Sequence, residues 1–121
     1  MTTLYGIKNC DTVKKARKWL DSKSIDYRFH DFREDGINKN QLTGWIKTLG
    51  WETIINKRST TWKQLDIKTR DSINSMDQAL AISVIMEHPT LIKRPVLETG
   101  QDCLIGFKEQ EYRALFKHHT L

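Results

Sequence analysis

Leu4-Tyr5-Gly6-Ile7-Lys8-Asn9-Cys10-Asp11-Thr12-Val13-Lys14-Lys15-Ala16 decides how this chain folds. Thr3 to Ile7 is rich in β-branched and aromatic residues and predicts a short strand. From Asp11 to Ser22 the apolar residues Val13, Ala16, Trp19 and Leu20 recur at helical spacing, with Lys14, Lys15, Arg17 and Lys18 opposite. Cys10 stands at the join. Asn9 or Asp11 is the expected cap. Unpaired N–H groups and a positive macrodipole end gather at a helix start. That setting favours a thiolate, the reactive form of cysteine.

Working outward, Tyr27-Arg28-Phe29-His30 alternates apolar and polar and predicts a second strand, parallel to the first through a right-handed crossover. Glu34-Asp35-Gly36 breaks the pattern. Asn38 with Gln41 reads as a capping box, followed by Leu42, Trp45, Ile46 and Leu49 on one helical face, and Gly50 ends the helix. Trp51 to Ile55 predicts another turn or two, and Asn56 to Thr61 a polar loop. Leu65 to Ile73 is a weaker helix. Ser75 with Gln78 reads as a second capping box, for a helix closed by His88-Pro89. Val96–Glu98 and Cys103–Ile105 predict a hairpin around Thr99-Gly100. Lys108 to Lys117 predicts a last helix, with a frayed tail at residues 118–121.

The 121 residues suffice for one domain, read as 1–121, with a thiol-bearing core over 1–37 and 88–121 and a helical insertion over 38–87. No apolar run approaches the roughly 20 residues of a membrane span. The N-terminus lacks a basic-then-apolar leader. Two cysteines are too few for a disulfide scaffold, and no metal-ligand spacing occurs, so no metal is expected. These readings point to a cytoplasmic monomer with reduced thiols. The formal charge of +5 favours anionic partners. Without a recognition motif it reads as a solvated basic surface rather than a nucleic-acid face. Cys103, between apolar strand residues, reads as packing. His30 and His88 read as structural, and the tryptophans at 19, 45, 51 and 62 as core. Lys8 and Lys14 are candidate cations beside the Cys10 thiol.

The opening stretch, the later His88-Pro89-x-Leu91-Ile92-Lys93-Arg94-Pro95-Val96 and the closing Ile105-Gly106-Phe107 together resemble the ArsC/Spx family, within it the YffB branch of thiol reductases. The resemblance spans almost the whole chain. It implies an α/β, thioredoxin-like fold, β-α-β plus β-β-α with a mixed sheet and a helical insertion. It implies a nucleophilic Cys10 and a basic pocket with Arg94 before a cis Pro95. Asn9, Thr12, Arg58, Lys93 and Pro95 would bind substrate. Arsenate reductases of the family complete the anion site with further arginines. Here those positions read Asn56, with Arg58 two residues on, and Gly106-Phe107-Lys108. The family's regulators carry Cys-x-x-Cys, whereas this chain reads Cys10-Asp11-Thr12-Val13. A monothiol needs an outside resolving thiol. The expected function is therefore a glutathione-dependent thiol-disulfide reductase. No bound cofactor is expected. Glutathione is the co-substrate, and the partner is a small oxidised or disulfide substrate. Arsenate reduction and non-enzymatic binding of RNA polymerase are the alternatives.

Overall fold

A computed structural model describes residues 2–75 and 78–117. The chain divides into two compact units, residues 1–35 with 94–121, and Gly36–Lys93. In the first unit, β1 (Thr3–Gly6) leads into α1 (Asp11–Ser22) and β2 (Arg28–Asp31), followed by a one-turn helix α2 (Phe32–Asp35). After the second unit come β3 (Val96–Glu98), β4 (Cys103–Ile105) and the last helix of the chain (Glu109–Leu115).

The four strands form one sheet in the order β2-β1-β3-β4. β1 runs parallel to β2, with Gly6 opposite Asp31, and antiparallel to β3, with Tyr5 opposite Val96. β3 and β4 make the expected hairpin, Val96 opposite Ile105. This mixed sheet with its helices is the thioredoxin-like α/β arrangement that the sequence implied. The core of the unit is Leu4, Leu20, Leu97, Tyr112, Trp19, Ala16, Ile25 and Phe116, all buried. Removing one such large apolar side chain from water stabilises by about 1.5–3 kcal/mol, so the apolar stripe of α1 fixes the helix to the sheet.

The second unit is helical. It holds α3 (Lys39–Leu49), α4 (Trp51–Ile54), α5 (Thr60–Gln64), α6 (Ile67–Asn74) and α7 (Gln78–Glu87), then a 3-10 turn at Pro89–Leu91. The last helix of the chain, introduced above, is therefore α8. Asn38 caps α3 as expected, its Oδ1 accepting the Gln41 N–H at 3.1 Å. All four tryptophans are buried.

Four local expectations are corrected. Glu34-Asp35 belongs to α2 rather than to a break. Asp31 is buried at the end of β2, and its carboxylate accepts the Arg33 N–H at 2.8 Å, which starts that turn. The loop expected over Asn56 to Thr61 stops at Ser59, whose hydroxyl oxygen accepts the Trp62 N–H and so caps α5. Ser75 does not open α7. It closes α6, its hydroxyl donating to the Asp71 carbonyl at 2.8 Å. The cap of α1 is neither Asn9 nor Asp11 but Cys10. The tail at 118–121 lies outside the described residues. Among the described residues, no helix is long and apolar enough to cross a membrane.

Candidate functional site

The turn between β1 and α1 is closed by one backbone bond, the Cys10 N–H donating to the Ile7 carbonyl at 3.1 Å. That bond holds Cys10 in extended geometry, φ −84° and ψ 125°, which is the N-cap conformation. The Cys10 carbonyl accepts the Lys14 N–H at 3.0 Å as the first helical bond. Among the described residues, no side chain caps the first-turn N–H groups. They stay available beside a half-buried free thiol, where partial positive charge concentrates. Asn9 and Thr12, on either side, are exposed and form no side-chain hydrogen bond among the described residues.

Gly6 makes this placement possible. A Cβ there would meet Val13 Cγ2 at 2.7 Å, so only glycine lets the buried Val13 of α1 lie against the end of β1.

Sheet register brings a second loop to the same end. Because Tyr5 faces Val96, the residues before β3 lie beside the residues after Tyr5 on the neighbouring strand. Strands in a sheet lie about 4.8 Å apart. Those residues are Arg94 and Pro95, and the peptide bond between them is cis. Pro95 is buried, and its carbonyl accepts the Gly106 N–H at 2.8 Å. Arg94 is half-buried, and its guanidinium has no partner among the described residues. Cys10, Arg94 and Pro95 thus rise from one end of one sheet, with the residues following β4 at the same end.

Arg58 and Lys93 belong to the second unit, both exposed. The loop that carries Arg58 is held by its own bonds. Asn56 Oδ1 accepts the Arg58 N–H at 3.0 Å, and the Asn56 N–H donates to the Leu91 carbonyl at 2.7 Å. Lys8 is engaged with Glu34, 3.0 Å away, across an exposed pair. Asp31 was missed in the sequence. Its burial at a strand end has no signature in a polar run, and its carboxylate serves α2.

Cys103 differs from Cys10 in setting. It faces Glu98 across the hairpin. Burial first, and then the Glu98 charge, push its thiol up to about 11. Among the described residues, no group of His, Cys, Asp and Glu is arranged to hold a metal ion.

Known proteins share this fold. A solved YffB protein superimposes with a TM-score of 0.87 at 44% identity, covering 94% of this chain and 97% of its own. The solution structure of an arsenate reductase (ArsC) related protein from Brucella melitensis gives a TM-score of 0.74 at 42% identity, covering 96% of this chain and 94% of its own. The global transcriptional regulator Spx of Streptococcus pyogenes is 31% identical over 117 residues, 94% of this chain and 84% of that one. With the ArsC family model matching from residue 5 to residue 115, the chain belongs to the ArsC family.

Proposed function

We propose that the chain is a glutathione-dependent thiol-disulfide reductase working through Cys10 alone. The observation that carries this reading is a cysteine at the N-cap of α1, with no side chain among the described residues competing for the N–H groups around it. The Cys10 thiolate attacks the glutathionyl sulfur of a mixed disulfide RS–SG. A Cys10–glutathione disulfide forms, and RS⁻ leaves and takes a proton from water. A second glutathione thiolate attacks that bond, releasing oxidised glutathione and restoring Cys10. The unpartnered Arg94 guanidinium, at the same sheet end, pairs with a glutathione carboxylate. Asn9, Thr12 and Pro95 flank the reacting sulfur. Arg58 and Lys93 remain substrate-binding cations in this proposal on the family resemblance alone. The setting is cytoplasmic, and the working unit is a monomer without nucleic acid.

Arsenate is the weaker substrate. Where the family's arsenate reductases carry a late arginine, this chain has Gly106-Phe107-Lys108. Phe107 is turned edge-on to Tyr112 with ring centroids 4.8 Å apart, so it is spent on packing. The likeness to Spx favours one second reading, a non-enzymatic regulator. Against it stands Val13, where the regulators' switch needs a second thiol. Val13 is buried and fills the space over Gly6.

The test is turnover of a glutathione mixed disulfide in the presence of glutathione. Cys10→Ser loses activity and keeps the fold, whereas Cys103→Ser retains nearly full activity. Full activity in Cys10→Ser overturns the mechanism. Faster reduction of arsenate than of the mixed disulfide would replace the substrate assignment.

A further inference from the structure

Lys14, Lys15, Arg17 and Lys18, together with Lys8, Asp11 and Asp21, line one shallow open depression along the solvent face of α1. The cations are not equivalent. The Arg17 guanidinium lies 4.2 Å over the Phe29 ring, and its Nε donates to the Tyr27 hydroxyl at 3.1 Å, so it is committed to the body of the unit. Lys14, Lys15 and Lys18 are exposed and form no ion pair among the described residues. They follow Cys10 by four, five and eight positions. Lys14 and Lys18 stand about one and two helical turns along α1 from Cys10, its N-cap residue. At about 1.5 Å per residue the stripe reaches roughly 12 Å beyond Cys10.

The geometry points to an acidic polypeptide segment as the docking partner of this stripe, with the segment's own cysteine presented to Cys10. Extended chain advances about 3.3 Å per residue, so the stripe spans about four residues of such a segment. The favoured substrates are glutathionylated cysteines with glutamate or aspartate within about four positions on one side. The carboxylates of Asp11 and Asp21, lining the same depression as these lysines, argue against a nucleic acid, whose unbroken row of phosphates would run onto them. A short acidic cluster fits between them. This inference rests on the reductase reading and gives its substrate class, with the acidic segment as the departing thiolate RS⁻.

Two synthetic peptides test it, each with one cysteine as its glutathione mixed disulfide and differing only in glutamate or glutamine beside that cysteine. The glutamate peptide is reduced about tenfold faster at low salt, and the ratio falls toward one as salt screens the charges. In Lys15→Glu/Lys18→Glu the ratio is lost, while turnover of a small glutathione mixed disulfide whose leaving thiol carries no charge stays at the wild-type rate. Equal rates for the two peptides in the wild type, or a preference that survives the double substitution, overturn the inference and leave the reductase reading standing. Fluorescence anisotropy of the glutamate peptide on the Cys10→Ser protein gives the complementary arm. Salt-sensitive binding lost in Cys10→Ser/Lys15→Glu/Lys18→Glu supports the docking surface. If such binding accompanies a wild type that turns over no disulfide, the reductase reading falls and the surface stands. Tighter binding of a single-stranded oligonucleotide than of the glutamate peptide overturns the choice of partner.

Discussion

Gly6→Ala is the most informative single perturbation, because it acts on the packing that sets Cys10. An alanine Cβ at residue 6 would lie 2.7 Å from Val13 Cγ2 and 3.2 Å from Cγ1. Carbon atoms attract best at about 3.5–4.0 Å, so the overlap is about 1 Å. Val13 cannot swing aside freely, because a β-branched side chain on a helix has one strongly preferred rotamer and this one is fully buried. Backbone strain does not enter, since Gly6 has no positive φ. Alanine in place of glycine gains about 0.4–1 kcal/mol by restricting the unfolded chain. Overpacking a filled core costs about 1–3 kcal/mol, so the balance is a loss of about 1–2 kcal/mol. In urea, with a slope of about 1–3 kcal/mol per molar, that moves the midpoint by roughly 0.5–1 M. The buried tryptophans report the transition by fluorescence. Val13→Ala removes both offending methyls and leaves Val13 Cβ at 3.5 Å, an ordinary contact. Gly6→Ala/Val13→Ala is therefore no less stable than Val13→Ala alone, a coupling of about 1–2 kcal/mol. A Gly6→Ala protein as stable as the wild type, or losses that simply add, would refute the reasoning.

Two more expectations follow from single groups, one buried and one half-buried. The Tyr112 hydroxyl is buried with no hydrogen-bond partner among the described residues, and burial pushes its phenol far above the usual range. Tyr112→Phe therefore stabilises by about 1 kcal/mol, measured by thermal and urea unfolding, and a loss of stability would disclose a hidden partner. The Cys103 thiol, raised to about 11, exposes only about one thiolate in ten thousand at pH 7. Iodoacetamide at neutral pH should label Cys10 and spare Cys103 until the protein unfolds, as read by peptide mass. The sign of the linkage is that of a raised pKa. The thiol form suits the fold, so stability is full below the unfolded value near 9.0 and is lost as pH climbs toward 11. That loss is absent in Cys103→Ser.

What the sequence revealed follows the strength of each signal. α1 was legible to the residue, because four buried apolar positions at helical spacing outweigh any local preference. The hairpin was legible from two apolar triplets around a turn. The short helices were not. α5 has five residues and one buried side chain, Trp62, so no periodicity can accumulate over it. A capping serine at residue 59 was its only signal. The cap of α1 was misassigned for another reason. Asparagine outranks cysteine by propensity at an N-cap, but the bond from Cys10 N–H to Ile7 carbonyl fixes which residue takes the extended geometry. Propensity ranks residues, and the turn chooses the position. For the site, the flanks of Cys10 left a reactive and a packed thiol open, and the family resemblance carried most of its selection as the nucleophile. The approach of Arg94 and Pro95 to the same sheet end depends on strand register, which a single chain does not display.

The cap assignment also separates chemistry from stability at Cys10. An oxygen-bearing N-cap stabilises a helix by about 1 kcal/mol relative to a residue that cannot cap, and α1 forgoes that gain. The buried stripe of Val13, Ala16, Trp19 and Leu20 is worth several times as much, so the helix forms without its cap. Serine is among the best N-cap residues, and it matches cysteine in shape. Cys10→Ser then gains a cap bond to the first turn while losing its nucleophile. It should unfold at the same or a higher urea concentration than the wild type, by up to about 1 kcal/mol, and carry no reductase activity. A thiol held here for packing would give the opposite pair, a less stable protein with its activity retained.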